Sequence, residues 1–419
     1  MNWKQVFWNG LESQSMSKIF TLGRTITGKT PSTKVKENWG NDIPFYAPED
    51  IAKGYILDDA IRHVSNQGFN AIKNNTTDGI SVLVGCIGSD MGNSAIVERK
   101  CAFNQQINAI TDFDKDVNPF YVYYYLSTQK DYLRQLAGST TTPLLPKSDF
   151  EQIDIPLPDK YTQDKTVRVL KPIDDKIKNN TAICSDLESM AKLLYDYWFV
   201  QFDFPDENGK PYKSSGGKMV WNEELKREIP DGWEVKPLSA VFDITMGSSP
   251  SGASLNENGD GIEFYQGSTD FGNIYPTKRV YTTAPVRFSK AQDVLLSVRA
   301  PVGTMNIAMN DCCIGRGLAA IHHFSTMFAW NTMLTFSAYF DIFNNNGTTF
   351  GALTSDDLKG QLTAVPPENL INKYHGTTIA IEKQIRNLSK ENQELASLRD
   401  FLLPMLMNGQ VTVKKGETQ

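Results

Sequence analysis

Long hydrophobic runs, paired cysteines and clustered histidines are scarce in this chain of 419 residues. No apolar run approaches the roughly 18 residues that a transmembrane helix requires, so a membrane protein is not expected. The N-terminus, MNWKQVFWNGLESQSM, lacks the basic and then apolar layout of a secretory signal peptide. Five scattered cysteines without a CxxC motif predict neither a disulfide framework nor a zinc site. These absences together favour a cytoplasmic protein.

An excess of positive charge is also missing. The 42 Lys and Arg residues are outnumbered by 48 Asp and Glu residues, which gives a net charge of −6. A protein that binds nucleic acid on its own usually has a basic balance. If this chain binds DNA, we therefore expect local positive patches, or a partner that supplies most of the phosphate contacts. Its length is sufficient for two or three domains.

An internal repeat is the most informative feature that is present. The segment GNSAIVERKC…INAI at 92–110 returns as GTMNIAMNDC…LAAI at 303–321, and every matched pair is 211 positions apart. Upstream, Thr27–Ser32 matches Met246–Ser251 at a separation of 219. Downstream, the match of Asp149 with Asp357 has a separation of 208. A period this long indicates two copies of a whole domain rather than a solenoid of small units.

Each copy has the pattern of an α/β domain. The short apolar runs Ile80–Val84 and Val294–Val298 are bounded by polar residues and glycine, which predicts strands. The Ser, Thr, Asn and Gly-rich segments 138–142 and 344–349 predict loops. Proline-containing strings at 155–158 and 365–367 close the two copies.

A helical heptad pattern follows each closing string. Apolar residues and one asparagine recur at steps of four and three, which predicts a coiled-coil seam. The seam positions are Ile173, Ile177, Asn180, Cys184, Leu187, Ala191, Leu194 and Trp198 in the first helix, and Ile381, Ile385, Leu388, Asn392, Leu395 and Leu402 in the second. Arg399 interrupts the second pattern. The asparagines either fix the register of the pair, as buried asparagines do in coiled coils, or are solvated beside the seam.

The two helices are expected to pack on one another as an antiparallel pair. The 26 residues from Ile173 to Trp198 span about 40 Å as a helix, close to the roughly 34–36 Å of one turn of B-DNA. The predicted fold is thus α/β, with two similar domains separated by two long antiparallel coiled-coil helices in a pseudo-two-fold arrangement. Two DNA-binding domains so placed would meet grooves about one turn apart.

The segment Gly23–Thr30 matches the phosphate-binding pattern GxxxxGKT. A working phosphate loop needs a helix that begins at the Lys-Thr pair, whereas a polar stretch without apolar period follows here. The repeat has Ser248 and Ser249 where the first copy has Lys29 and Thr30. What the two copies share is a Gly-x-x-Pro turn, which we favour over nucleotide binding.

Three further patterns do not indicate a catalytic or metal-binding site. Asn118-Pro119-Phe120 faintly resembles the Asn-Pro-Pro-aromatic motif of adenine methyltransferases, but a helix that begins at Pro119 explains it better. The adjacent pairs His322-His323 and Cys312-Cys313 point to opposite faces of a strand and cannot easily share a metal ion. We therefore predict no catalytic site and no metal site.

Candidate DNA-binding residues come from the polar loops of the two copies. Lys, Ser and Thr suit phosphate oxygens, while Gln, Asn and Arg suit base edges, although each could equally be an ordinary solvated side chain. The candidates are Lys29, Thr30, Lys34, Lys36, Gln105, Gln106, Ser139, Thr140 and Thr141 in the first copy, and Ser248, Ser249, Ser251, Gln266, Arg299, Arg316 and Asn345 in the second. Gln105 and Arg316 occupy equivalent positions, 211 apart, where different side chains would select different sequences.

This layout resembles the specificity (S) subunit of type I restriction-modification systems. The stretches Leu194–Pro205, Gly209–Lys213 and Ile229–Val235 look like the central conserved region of that family, and Leu402–Gln410 looks like the distal one. The resemblance implies a non-catalytic subunit whose two target-recognition domains bind the halves of a split, asymmetric site in double-stranded DNA. It also implies two methylase (M) subunits and motor-nuclease (R) subunits as partners, which carry S-adenosylmethionine, ATP and Mg, so that no cofactor is expected on this chain.

The resemblance and the repeat together give the expected domain boundaries. They place the first target-recognition domain at 1–160, the first long helix at 161–199, a central linker at 200–235, the second target-recognition domain at 236–368, the second long helix at 369–408 and a tail at 409–419. Two other classes of protein remain open at this point. One is a coiled-coil scaffold without DNA specificity, and the other is an enzyme that uses the Lys29 or Asn118 motif.

Overall fold

The computed structural model describes residues 15–52, 54–138, 143–345 and 351–411. The chain divides into two compact units, unit 1 comprising 1–178 with 394–419 and unit 2 comprising 179–393. Each unit therefore contains one copy of the repeat and a part of each long helix. No helix in the described ranges has the length and apolarity needed to cross a membrane.

Unit 1 is built on a four-stranded antiparallel sheet. Its strands lie in the order β2-β9-β6-β7, where β2 is Arg24–Thr27, β6 is Ile80–Gly85, β7 is Ser94–Glu98 and β9 is Ile107–Thr111. The strand predicted at Ile80–Val84 is confirmed. A second sheet has the order β4-β3-β8-β5, with β3 at Trp39–Tyr46, β4 at Arg62–Val64, β5 at Thr76–Thr77 and β8 at Cys101–Phe103. Strands β3 and β8 are parallel, with Phe45 opposite Ala102.

The first sheet of unit 1 is covered on both faces, which explains its continuous apolar strands. Val84 and Ile96 pack with Tyr121 of a helix on one face, whereas Leu83 and Ala95 pack with Phe103 of the second sheet on the other. A short ladder joins β1 (Met16–Lys18) to β10 (Asp154–Pro156). The helices are α1 (Pro48–Ile51), α2 (Asn66–Ala71), α3 (Pro119–Ser127), α4 (Lys130–Leu136), α5 (Lys147–Glu151) and α6 (Lys160–Tyr195), which continues into unit 2.

Unit 2 repeats this topology, with one additional strand in its second sheet. Its four-stranded sheet has the order β14-β22-β19-β20, with β14 at Asp243–Met246, β19 at Val294–Ser297, β20 at Met305–Ile307 and β22 at Leu318–His322. Its second sheet has the order β15-β17-β16-β21-β18, with β15 at Leu255–Asn256, β16 at Ile262–Tyr265, β17 at Tyr281–Thr282, β18 at Phe288–Ser289 and β21 at Cys312–Ile314. Strands β16 and β21 are parallel, and Phe264 lies opposite Cys313. These two residues are the repeat equivalents of Phe45 and Ala102, so the duplication extends to the strand register.

The rest of unit 2 completes the same plan. A ladder joins β13 (Glu234–Pro237) to β23 (Leu362–Val365), as β1 joins β10 in unit 1. The helices are α7 (Thr326–Leu334), α8 (Ser337–Asn345), α9 (Ser355–Lys359) and α10 (Glu368–Met407), whose last residues belong to unit 1. The long helices α6 and α10 therefore occupy nearly the ranges that the heptads predict, although α6 ends in a π-helical turn at Asp196–Val200.

The segment 200–235 differs from the linker that the sequence suggests. It contains a hairpin of β11 (Met219–Asn222) and β12 (Arg227–Pro230). Phe202, Ile229 and Trp233 are buried in the main apolar core of unit 2. Burial of these large side chains holds the segment against the unit, because exposing them to water would be unfavourable.

The Gly-Lys-Thr segment of the first copy is part of a backbone junction and not a phosphate loop. The amide of Gly28 donates to the carbonyl of Ile107 (3.0 Å) and that of Lys29 to Phe103 (2.9 Å). In the second copy, Gly247 donates to Leu318 (2.9 Å) and Ser248 to Ile314 (3.0 Å). Amides that are bonded to strands in this way cannot also surround a phosphate. The two Gly-x-x-Pro segments therefore share one backbone pairing, but they are irregular segments that follow β2 and β14 and not the turns that the sequence suggests.

The Asn118-Pro119 motif is a helix start. The Asn118 side chain accepts a hydrogen bond from the amide of Phe120 at 2.9 Å, which caps α3. Proline at the first helical position is favourable because its nitrogen has no hydrogen to leave unpaired. The resemblance to a methyltransferase motif is explained by this cap.

The two glycines of these segments are required by a close backbone approach. A Cβ atom on Gly28 would lie 2.2 Å from the carbonyl oxygen of Asn104, and one on Gly247 would lie 2.1 Å from that of Gly315. We predict that Gly247→Ala lowers the free energy of unfolding by about 1–3 kcal/mol through overpacking. Urea unfolding of the full chain measures this.

The matched control for this prediction is Gly252→Ala. A Cβ atom there meets no other atom within 4 Å. Its unfolding midpoint should remain at the wild-type value. An equal loss in both variants would contradict the steric argument.

Candidate nucleic-acid interface

A polar cluster lies at the β8–β9 turn of unit 1. The hydroxyl of Thr30 donates to Oε1 of Gln105 at 2.8 Å, and the Gln105 side chain is exposed. Lys29 is exposed beside them, and Lys34 and Lys36 are exposed on the loop that follows. None of these three lysines forms an ion pair with a residue that the structure describes. Their charges are thus available to an external anion.

Gln106 forms its hydrogen bonds within the β8–β9 turn and not within the exposed cluster. It is half-buried, its amide donates to Oδ1 of Asn104 at 3.0 Å, and its Oε1 accepts from Nδ2 of Asn104 at 3.1 Å. Its carbonyl accepts the amide of Cys86 at 2.8 Å. Gln106 therefore supports the loop that presents Gln105.

An equivalent cluster lies at the β21–β22 turn of unit 2. The hydroxyl of Ser249 donates to Oε1 of Gln266 at 2.8 Å and accepts the amide of Arg316 at 3.3 Å. The side chains of Gln266, Arg316 and Arg299 are exposed. Within the described ranges, neither arginine has an ion-pair partner. The guanidinium groups can therefore donate to an external acceptor.

The two clusters have the same frame and different side chains. Thr30 and Ser249 are repeat equivalents, and so are Gln105 and Arg316. Amide and guanidinium groups can bond to base edges, and lysine ammonium groups suit phosphates. The structure thus brings together some of the candidates of each copy, Thr30 with Gln105 in the first and Ser249 with Gln266 and Arg316 in the second.

Some candidates have other positions. Ser248 is half-buried with its amide in the backbone junction, and Ser251 is exposed with its carbonyl bonded to Ser254. Ser139, Thr140 and Thr141, and the side chain of Asn345, lie outside the described residues. Asn344, the neighbour of Asn345, anchors a loop, since its amide group bonds both the N–H and the carbonyl of Val302 at 2.8 and 3.0 Å.

The predicted seam of the long helices has a buried polar contact in unit 2. Nδ2 of Asn180 donates to Oδ1 of Asn392 at 3.0 Å and to Oε2 of Glu391 at 2.7 Å. Nδ2 of Asn392 donates to Thr181 at 3.2 Å, and Asn180 is only 1% exposed. Asn180 is therefore not solvated. The two asparagines form the kind of pair that fixes helix register.

The helices of unit 2 are antiparallel. Ascending positions on α6 meet descending positions on α10, because Cys184 contacts Ile385 and the carbonyl of Ala191 accepts the hydroxyl of Tyr374 at 3.1 Å. Ile385 and Leu388 are buried, and Leu187, Leu194 and Ile381 pack against the same core. In unit 1, Ile173, Ile177 and Leu395 are half-buried, and Leu402 packs against that unit's core.

Arg399 does not simply interrupt the seam. In unit 1 its Nη1 donates to Oδ1 of Asp174 at 2.9 Å, and Oδ2 of Asp174 accepts the hydroxyl of Tyr124 at 2.8 Å. The Asp174 side chain is 3% exposed. Burial disfavours the charged form of Arg399, but the hydrogen bonds and charges of Asp174 and Asp400 together outweigh this effect and raise the arginine pKa. This network joins both long helices to α3.

Sequence reasoning overlooked Asp174. It lies beside the seam position Ile173 in a polar stretch, where a charged residue is usually solvated. The available signal was the charge of Arg399 at a position where the heptad required an apolar residue.

Sequence reasoning also missed an exposed apolar surface on the long helices. On unit 2 it consists of Met190, Leu193, Tyr197 and Val200, of which Leu193 is 69% exposed. On unit 1 it consists of Leu398 and Phe401, and Phe401 is 66% exposed. Leu398 and Phe401 follow Met190 and Leu193 by 208 positions, the separation that relates the two helices. We call these equivalent surfaces the two exposed stripes.

The chain matches the family model of the type I restriction modification DNA specificity domain over residues 12–189 and 230–390. These ranges cover well over half of the sequence. The chain belongs to this family.

Individual relatives agree with the family match. The type I restriction enzyme MjaIX specificity subunit of Methanocaldococcus jannaschii is 28% identical, and the alignment covers 96% of this chain and 94% of the relative. The type I restriction enzyme HindI specificity subunit of Haemophilus influenzae is 22% identical, and the alignment covers 88% of this chain and 89% of the relative. The crystal structure of a type I restriction-modification S subunit from M. genitalium has a TM-score of 0.56 at 15% identity, covering 94% and 96%. It shows the same fold.

We predict that Arg399→Leu destabilises the chain by about 3–5 kcal/mol, because it leaves the buried Asp174 carboxylate without its cation. Asp174→Leu together with Arg399→Leu should recover most of that loss, since no charge then remains unpaired. Urea unfolding of the single and double variants measures both effects.

Lys218→Ala is the control for this prediction. It removes an exposed ion pair with Asp231, which solvent screens, and should not move the unfolding midpoint. A double variant as unstable as Arg399→Leu would show that the network contributes packing and not charge compensation.

Proposed function

We propose that this chain is the non-catalytic DNA-recognition subunit of a type I restriction-modification complex, and that each target-recognition domain binds one half of a split, asymmetric site. The observation that carries the proposal is the duplicated turn cluster. A common backbone frame presents Thr30 with Gln105 in one copy and Ser249 with Arg316 in the other. Identical frames with unlike side chains fit two unlike half-sites.

The charges of the clusters support contact with DNA despite the net charge of −6. Five exposed cations lie at the clusters or on the loops beside them: Lys29, Lys34, Lys36, Arg299 and Arg316. Lysines favour phosphate oxygens, and arginines can also donate to guanine. Partner subunits would supply the remaining phosphate contacts.

The long helices are proposed to set the gap between the half-sites. Helix α6 has 36 residues and α10 has 40, and each contributes residues to both units. The contacts of two buried polar residues, Asn180 with Asn392 in unit 2 and Asp174 with Arg399 in unit 1, oppose sliding of one helix along the other. A fixed helix register would give a fixed gap.

The two exposed stripes are proposed to bind two methylase subunits. Large apolar side chains exposed together on a helix mark an interaction surface more often than a solvated one. Because the stripes are repeat equivalents, they suit two copies of one partner. S-adenosylmethionine would belong to these methylases, and ATP and Mg to motor-nuclease subunits that complete the complex.

The stripes alone would also fit a coiled-coil scaffold without DNA specificity. That alternative does not use the turn clusters. A nucleotide-binding enzyme is disfavoured, since the amides of Gly28 and Lys29 are bonded to strands.

We predict that exchanging residues 236–365 for those of another family member changes only one half of the methylated sequence. The first domain, with its own cluster, would remain intact. Sequencing of methylated adenines in cells that carry the chimera and the methylase measures this. A change in both halves would exclude two independent recognition domains.

We predict that four residues inserted after Ser185 and four after Ser389 lengthen the gap. These positions lie on facing parts of α6 and α10, because Cys184 contacts both Ile385 and Ser389. The insertion extends each helix by about 6 Å, and base pairs are spaced by about 3.4 Å, so a gap about two base pairs longer is expected. Methylated-site sequencing gives the gap.

The control for the insertion places four residues in the exposed turn between Asn222 and Arg227. The gap should then be unchanged. A wild-type gap after the helix insertions would refute the role of the helices.

We predict that Leu193→Glu or Phe401→Glu each leaves one methylase per chain, and that the double variant binds none, because a charge in each stripe opposes its burial. Native mass spectrometry of the co-expressed subunits measures the ratio. Val286→Glu is the control, since Val286 is an exposed apolar residue outside the stripes. Two methylases on the double variant would be inconsistent with docking at the stripes.

A further inference from the structure

Both turn clusters contain a glutamine whose amide is oriented by a hydroxyl group. Thr30 donates to Gln105, and Ser249 donates to Gln266, in each case to Oε1 at 2.8 Å. The hydroxyls are repeat equivalents, but the glutamines are not. Gln105 lies on the β8–β9 turn, whereas Gln266 follows β16, where the first copy has Ala47. The two copies therefore supply this amide group from different positions in the fold, the β8–β9 turn in the first and the end of β16 in the second.

Two glycines in unit 2 leave the space that Gln266 occupies. A Cβ atom on Gly315 would lie 2.5 Å from Oε1 of Gln266, and one on Gly317 would lie 2.6 Å from the carbonyl oxygen of Gln266. The equivalent residues of the first copy, Asn104 and Gln106, have side chains. Glycine thus allows Gln266 to lie over the β21–β22 turn. The apex of that turn is then free for Arg316.

The chemistry of each group indicates a base. An amide whose Oε1 is already held by a hydroxyl keeps a second lone pair and both Nε2 hydrogens. It can accept from N6 of adenine and donate to N7, the usual bidentate contact of glutamine. The exposed guanidinium of Arg316 can donate to O6 and N7 of guanine. Gln266 and Arg316 lie side by side, because Ser249 bonds both residues.

We infer that Gln105 specifies an adenine in the half-site of the first domain, and that Gln266 and Arg316 specify an adenine and a guanine in the half-site of the second. This inference rests on the proposed function. It adds that the cluster of the second domain contacts two bases, whereas the equivalent cluster of the first domain contacts one.

The test selects the full-length chain, purified with its bound subunits, against a library of random double-stranded DNA. Recovery of a two-part motif by the wild-type protein tests the proposed function, and failure to enrich any motif would overturn it. The variants are then compared only against that motif. The two hypotheses can therefore fail separately.

Arg316→Ala should lose the preference for guanine at one position by about tenfold or more, the effect of a bidentate contact. Gln266→Ala should lose an adenine in the same half, and Gln105→Ala an adenine in the other half. Arg316→Lys keeps the charge but not the planar fork, so its preference for guanine should fall below that of the wild type. The unaffected half of the motif shows that each variant is folded.

A uniform loss of affinity with an unchanged motif would overturn the inference, since it would indicate phosphate contacts. The inference would also be overturned if a variant lost its preference for a base other than the one assigned to the substituted residue.

Gly315→Asn tests the steric part of the inference. It restores the residue of the first copy and should displace Gln266, so that the adenine preference falls as in Gln266→Ala. Gly252→Asn is the control, because a Cβ atom there meets no other atom within 4 Å, and its motif should be that of the wild type. An intact adenine preference in Gly315→Asn would show that Gln266 does not depend on the glycine.

Discussion

The backbone junction at the Gly-x-x-Pro segment is the constraint on which both candidate sites depend. In each copy, two successive amides of the segment bond to carbonyls on either side of the adjacent strand turn, Phe103 and Ile107 in one and Ile314 and Leu318 in the other. The glycine is necessary because the backbones approach too closely for a Cβ atom. This junction places the next residue, Thr30 or Ser249, against the turn apex. Side chains at the apex can change without loss of the junction, since only backbone groups form it.

The long helices depend on a different kind of contact. Their seam contains polar pairs with one buried member each, Asn180 bonded to Asn392 in unit 2 and Asp174 bonded to Arg399 in unit 1. Such pairs add little net stability, because desolvation offsets their attraction. They do penalise a shifted register, which would leave Asn180 or Asp174 buried without a partner. The apolar seam residues supply the stability.

The sequence predicts the duplicated fold well because the repeat acts as an internal comparison. It separates residues that the fold requires in both copies, such as Gly28 and Gly247, from residues that differ, such as Gln105 and Arg316. Strands covered on both faces are continuous apolar runs, so the strands near Ile80 and Val294 are found directly. The comparison between the copies fails where they place the same chemical group with residues that are not repeat equivalents. Gln266 has no glutamine counterpart, and its partnership with Ser249 follows only from the folded chain.

The clusters differ in a way that follows from the chemistry of their cations. The first copy carries lysines, whose ammonium groups are strongly hydrated point charges, and the second carries arginines, whose planar groups donate in pairs. Lysine attracts any phosphate, whereas arginine at a turn apex can distinguish guanine from the other bases. Under the proposed base contacts, the first domain takes its selectivity from the hydroxyl and amide pair of Thr30 and Gln105. Glycine at 315 and 317 leaves room in the second domain for an oriented amide and an arginine together, where the first domain has Asn104 and Gln106.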